Sequence, residues 1–230
     1  MSALSPDEIH IWTIALDMPG RAVEMLSAAL ADEERARRAG LHEVAQQRRF
    51  TAARGAARVI LGGYLGVPPQ QLRWRVGRWG KPMIAGGLCF SLSHSGNRAL
   101  LAVTGGREVG VDVERRRDDF QAVRFAARYF PPDERELVRN AERDGDRGCF
   151  ARLWTRKEAC VKAAGVRLGQ GLKLPVAGSG AVLSVRDPAG VIPGSWLVRD
   201  VAVGEGYVAA VAATGGLPYR TISHQWRPDA

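Results

Sequence analysis

Val109-Gly-Val-Asp-Val-Glu114 and Leu153-Trp-Thr-Arg-Lys-Glu-Ala-Cys-Val-Lys162 are the two stretches that decide how this chain folds. The first alternates valine with glycine or a carboxylate, the period of a β-strand. Val111 and Val113 then face a core, while Asp112 and Glu114 stand side by side on the other face. The second stretch is helical, and it stacks Trp154, Glu158 and Lys162 at i, i+4 and i+8 on one face. Two neighbouring carboxylates repel unless a cation lies between them. A hard divalent ion suits that place, since Mg²⁺ takes one or two carboxylates plus water and substrate phosphates. Each stretch also has a plain structural reading. Asp112 and Glu114 fit an exposed strand end neutralised by Arg115, Arg116 and Arg117. Glu158 and Lys162 fit an ordinary helix pair, and Trp154 a core anchor.

Working outward, Glu8–Leu16 reads as a strand and Arg21 to Gly40 as a helix rich in Ala, Glu and Arg. A second long helix is expected over Val44–Leu65, stopped by Gly66 and Pro68-Pro69. Short strands follow near Leu72–Val76, Leu88–Ser93, Arg98–Thr104 and Glu108–Val113. Phe120–Arg128 reads as helix. Pro131-Pro132-Asp133-Glu134 reads as a helix start with acidic residues in its first turn. The helix over Arg147–Ala164 ends at Gly165, and a loop over Gly165–Pro175 leads into strands near Ala181–Val185, Ser195–Val203 and Tyr207–Thr214. Arg98-Ala-Leu-Leu-Ala-Val-Thr-Gly105 echoes Tyr207-Val-Ala-Ala-Val-Ala-Ala-Thr-Gly215. The expected fold is therefore α+β. Two similar halves, each a small antiparallel sheet packed by helices, are related by a pseudo-twofold arrangement. The division falls at 1–105 and 106–230, with the active site at the interface.

Composition narrows the function. Hydrophobic residues make up 46% of the 230 and charged residues 25%, a soluble globular balance. No apolar run reaches the ~20 residues of a membrane span, and Met1–Glu8 lacks a signal-peptide pattern. A cytoplasmic protein is expected. Cys89, Cys149 and Cys160 form no CxxC pair, and His10, His42, His94 and His224 form no HxxxH pair. Disulfide and zinc frameworks are thus disfavoured. The net charge of +9, mostly arginine, predicts an acidic partner or an anionic cofactor. An arginine-preferring coding bias produces the same excess.

Two further motifs precede the carboxylates: Arg78-Trp-Gly-Lys-Pro82 and Cys89-Phe-Ser-Leu-Ser-His-Ser-Gly96. In order and spacing, the four motifs together resemble the 4′-phosphopantetheinyl transferases, over about Glu33 to Thr214. The match is to the surfactin-synthetase-activating (Sfp) type, a monomer of two similar halves. The resemblance implies transfer of phosphopantetheine from coenzyme A to a serine of an apo carrier protein in fatty-acid, polyketide or nonribosomal-peptide synthesis. It implies release of 3′,5′-ADP and use of Mg²⁺ or Mn²⁺. Asp112, Glu114 and Glu158 match the metal ligands. Lys162 matches the pyrophosphate lysine, and Lys81, Ser93 and His94 match residues on the CoA phosphates. Arg37 matches a basic residue on the 3′-phosphate, with Arg49 nearby. Glu134 matches a second candidate for the base, after Glu158. Two positions depart from the pattern: Glu34 replaces a basic residue, and Arg78-Trp79 is bulky.

Two competing readings also bear on the sequence. A nucleic-acid-binding protein would explain the charge, but no helix-turn-helix, zinc finger or RNP-like motif is present. The holo-acyl-carrier synthase type is about half this length and trimeric, which the duplicated layout disfavours.

Overall fold

A computed structural model describes residues 4–5, 7–116 and 121–228. Arg117 and Phe120, which entered the expectations above, lie outside them, as do Met1–Ala3 and Pro6. Ten strands and seven α-helices are described. β1 (Glu8–Ala15) is followed by α1 (Gly20–Ala28), α2 (Asp32–Ala39) and α3 (Val44–Leu65). Next come β2 (Trp74–Val76), β3 (Pro82–Ile84), β4 (Leu88–Ser95), β5 (Arg98–Gly105) and β6 (Val109–Arg115). Then follow α4 (Ala122–Tyr129), α5 (Pro132–Arg143), α6 (Cys149–Ala164) and α7 (Leu168–Gly171). β7 (Leu183–Arg186), β8 (Ser195–Asp200), β9 (Tyr207–Thr214) and β10 (Arg220–Trp226) complete the order.

The mixed α+β class is as expected. One four-stranded sheet runs β10-β1-β5-β4 and another runs β6-β9-β8-β7. The inner strands β5 and β9 explain the echo in the sequence. In β5, Ala99, Leu101 and Val103 face the core under α1 and α3, while Leu100 and Ala102 face a second core. In β9, Ala210 and Ala212 face the core under α4–α6, while Ala209, Val211 and Ala213 face that same second core. A strand covered on both faces has no polar side to show, so its sequence is a continuous apolar run. The shared core joins the two sheets, and Val109, Val111 and Val113 of β6 belong to it.

Four elements differ from the sequence reading. The single helix expected over Arg21–Gly40 is two, because Ala31 is extended (ψ 164°) and Asp32, Glu33 and Glu34 start a new first turn. The Ala31 N–H donates to the Glu34 carboxylate at 3.1 Å. β3 and β10 were not expected. β3 is a three-residue partner of β2. β10 alternates weakly between half-buried and exposed residues, and its identity comes from its partner: it pairs parallel with β1, Glu8 opposite Arg220 through Ile14 opposite Trp226. Residues 220–226 thereby return to the sheet otherwise built from residues before 106. Finally, the loop after Gly165 contains the one-turn α7.

Gly110 sets how closely α6 lies on β6. A Cβ there would fall on the Ala159 carbonyl oxygen and 2.9 Å from Lys162 Cβ. Gly110→Ala should therefore push α6 outward and cost about 3 kcal/mol, the upper end for overpacking against backbone. Denaturant unfolding measures it.

Candidate active site

The edge strands β4 and β6 of the two sheets lie side by side. No run of backbone hydrogen bonds joins them. Instead, serine hydroxyls of β4 accept N–H bonds from β6, each 20 residues ahead. Val111 N donates to Ser91 Oγ (3.1 Å), Val113 N to Ser93 Oγ (3.5 Å) and Arg115 N to Ser95 Oγ (3.1 Å). Buried amide groups need partners, and here a side chain stands where a strand carbonyl would. Two of these hydroxyls in turn donate a hydrogen bond to a carboxylate. Ser93 Oγ donates to Asp112 Oδ1 at 2.7 Å, and Ser95 Oγ donates to Glu114 Oε2 at 2.8 Å.

Asp112 and Glu114 face α6, opposite to Val111 and Val113. Asp112 is 3% exposed. Lys162 Nζ donates to Asp112 Oδ1 at 2.6 Å and to Ser93 Oγ at 3.1 Å, and lies 4.0 Å from Glu158 Oε2. Glu158 is pushed up to about 6: burial is the main cause, Lys162 opposes it, and Asp112 and Glu114 add to it. The three carboxylates therefore feel one another across a single space. That space is part of a cleft of about 520 Å³. Ser93, His94, Lys81 and Arg37 also border the cleft, with His94 exposed and Ser93 buried as the strand alternation requires.

The fit to a divalent cation rests on two observations. Asp112 Oδ2 is buried with no hydrogen-bond partner, and Glu158 is raised in part by its carboxylate neighbours. Among the described residues, no three His, Cys, Asp or Glu side chains form a ready cage. Lys162 instead neutralises Asp112 directly. An ion that keeps waters and substrate phosphates in its shell needs only one or two of these carboxylates at contact, so the donor set fits Mg²⁺.

Not every expected residue is brought here. Arg49 is exposed on α3 and does not border the cleft. Trp154 packs among Phe125 and Phe150 as a core anchor. Glu134 is also elsewhere. It is fully buried, 2.6 Å from Lys157 Nζ, and accepts the N–H groups of Val176 (2.7 Å) and Ala177 (3.1 Å). It fixes the chain before β7 and has no opening to a substrate. Lys157, its partner, follows from helix geometry: one position before Glu158, it points away from the cleft. Burial draws the Lys157 ammonium below its ordinary value, against the pull of Glu134. Lys81 borders the cleft, but its ammonium is held by Glu108 and by the carbonyls of Val109 (3.2 Å) and Ala163 (3.0 Å).

Sequence reading missed Arg54. It borders the cleft beside Arg37, and its guanidinium lies 4.9 Å over Trp74 and 3.8 Å from Glu34. Burial pulls it down, Glu34 opposes that, and Arg37 and Arg58 reinforce it. Its place one turn after Phe50 on the face of α3 that meets Trp74 was the available signal. Glu34, the unexpected acid, is answered by Arg58 at 2.5 Å.

A family profile described as the 4′-phosphopantetheinyl transferase superfamily matches residues 108–212, which hold β6, α6 and most of β9. The chain is 38% identical over 218 residues to the 4′-phosphopantetheinyl transferase HetI of Nostoc sp. (strain PCC 7120), covering 92% of this chain and 90% of the relative. This chain belongs to the 4′-phosphopantetheinyl transferase superfamily. A putative 4′-phosphopantetheinyl transferase of Synechocystis sp., slr0495, is 32% identical over 71% of this chain and 67% of its own length. The 4′-phosphopantetheinyl transferase of Bacillus subtilis is 28% identical over 73% and 74%. Within this superfamily member, the matched segment carries Asp112, Glu114, Glu158 and Lys162.

Two outcomes test the site's wiring. Glu134→Gln strands a buried ammonium and should cost about 3 kcal/mol, part of it recovered by Lys157→Met in the same chain; denaturant unfolding reads both. Glu158 binds its proton more tightly folded than unfolded, so its stabilising contribution is present below about 4.5 and lost as pH rises through about 6. In metal-free protein, Glu158→Gln should raise the melting temperature at pH 7.5 and leave it nearly unchanged at pH 4.5.

Proposed function

We propose that this protein transfers the 4′-phosphopantetheine arm of coenzyme A to a serine hydroxyl of an apo carrier protein and releases 3′,5′-ADP. The observation that carries this reading is the convergence of Asp112, Glu114, Glu158 and Lys162 on one cleft that Arg37 and Arg54 also border. The new bond joins the carrier serine oxygen to the β-phosphorus of CoA, and the bond from that phosphorus to the bridging oxygen breaks. Glu158, or a water it orients, accepts the serine proton. Lys162 lies beside the pyrophosphate and neutralises or protonates the leaving phosphate. Asp112, Glu114 and Glu158 would hold Mg²⁺ or Mn²⁺, which when bound offsets the charge of the pyrophosphate oxygens. His94 takes phosphate oxygens from the β4 side, Ser93 fixes Asp112 and Lys162 beside them, and Arg37 takes the 3′-phosphate. Phosphoryl transfer needs mainly positioning and charge neutralisation, and these residues supply both.

The finer assignment is to the Sfp type: a monomer of two halves, 1–105 and 106–230, in a pseudo-twofold arrangement with the site at their interface, the second half lending β10 to the sheet of the first. Two four-stranded sheets, each with an apolar inner strand and helices on one face, favour it over the half-length type. The positive charge then serves CoA phosphates and the acidic surface of a carrier protein in the cytoplasm, rather than nucleic acid. No helix among the described residues is long and apolar enough to cross a membrane.

Incubation with CoA, Mg²⁺ and apo carrier proteins, followed by intact mass spectrometry, tests the activity. One phosphopantetheine should be added, and chelation or Glu158→Ala should reduce the rate at least about 100-fold, the scale of a lost general base. No transfer to any of several apo carriers would contradict the proposal. A size-exclusion mass of a trimer would contradict the Sfp-type assignment.

A further inference from the structure

The three serines of β4 make equivalent contacts to β6 but differ in what they do with their own proton. Each of Ser91, Ser93 and Ser95 accepts a backbone N–H across the junction. Ser93 and Ser95 donate a hydrogen bond to Asp112 and Glu114, whereas the equivalent position beside Ser91 is Gly110, kept bare by the approach of α6. Ser93 is also touched by Lys162 Nζ and so belongs to the cleft chemistry. Ser95 is the instructive case: it is buried, and its hydroxyl is committed at both ends, to Arg115 N at 3.1 Å and to Glu114 Oε2 at 2.8 Å.

A carboxylate on a flexible glutamate stem has several rotamers, and fixing one costs conformational entropy. A hydroxyl already fixed by a backbone amide of the same strand removes much of that freedom before any ligand arrives. The amide at Arg115 and the side chain at Glu114 are adjacent on β6, so one hydroxyl from the opposite sheet reads both. A slide of one sheet against the other would break the amide contact and turn the carboxylate together.

We propose that Ser95 is a positioning residue, which presets the Glu114 carboxylate for the cation and couples its orientation to the register between the two sheets. This rests on the metal-assisted transferase reading of the cleft. Ser91 supplies the internal comparison, since it makes the same inter-sheet bond without a carboxylate.

Calorimetric CoA binding is measured against Mg²⁺ concentration for the wild type, Ser91→Ala, Ser95→Ala and Ser95→Thr, with the melting temperature of each. Removing a partner that orients a metal ligand typically weakens the ion's affinity about 10- to 100-fold. Ser95→Ala should shift the Mg²⁺ midpoint upward by about that factor, while Ser91→Ala lowers the melting temperature comparably and keeps the wild-type midpoint. Ser95→Thr, which retains the hydroxyl, should restore the midpoint. In a Glu114→Gln background, Ser95→Ala should produce no further shift. Equal midpoints for Ser91→Ala and Ser95→Ala, or a full further shift in the Glu114→Gln background, would overturn the proposal. Should Ser95→Ala fail to fold, the threonine variant and the Glu114→Gln comparison of Ser95→Thr decide: a Ser95→Thr midpoint displaced equally in both backgrounds overturns it. If wild-type CoA binding does not respond to Mg²⁺, the metal reading itself fails, a different result from any of these.

Discussion

The contact between β4 and β6 is the constraint on which the rest of the structure depends. Two sheets end there, and neither edge offers the other a regular backbone ladder. An open strand edge with buried amides is costly, and three serines at alternate positions answer it. The same alternation that turns Ser91, Ser93 and Ser95 toward β6 puts Phe90 and Leu92 on the other face of β4, with the core under α3. On β6, it turns Val109, Val111 and Val113 into the core between the sheets and Asp112 and Glu114 toward α6. The carboxylates are thus held by the seam itself, and α6 needs only to lie close. Gly110 makes that closeness possible, bringing Glu158 and Lys162 over the strand.

Much of this was legible in the sequence because the decisive patterns are local. The period of two in Val109–Glu114 gave the strand and its two faces, and the period of 3.6 in α6 gave the common face of Glu158 and Lys162. The α3 boundaries were legible too, since Gly66 ends that helix in the left-handed region at φ 68°. What was not legible depends on pairs far apart in the chain. β10 is a strand because β1 lies beside it, Arg220 Nη2 meeting Glu8 Oε1 at 2.6 Å. Glu34 looked like a missing cation and is instead the buried partner of Arg58. Glu134 shares the acidic first turn of α5 with Asp133, and only packing shows that it faces inward to Lys157.

The arginine excess divides in the same way. Arg58 and Arg156 are buried and structural: Arg156 holds Asp200 through two bonds of 2.7 Å and reaches the carbonyls of Val176 and Gly178. Arg37 and Arg54 instead border the cleft, and with Arg58 they line a neighbouring cavity of about 1190 Å³. Net charge alone separates none of these roles. Burial and partners do, and they leave a smaller, directed set of cations beside the carboxylates.

The central claim is that one cleft at the seam between the sheets takes both the divalent ion and coenzyme A. A crystal structure of the protein with CoA and Mg²⁺ tests it most directly. An ion contacting Asp112 Oδ2 and at least one of Glu114 and Glu158, with the pyrophosphate beside Lys162, is the expected result. CoA bound away from this cleft, or bound within it with Mg²⁺ on none of the three carboxylates, would contradict the account.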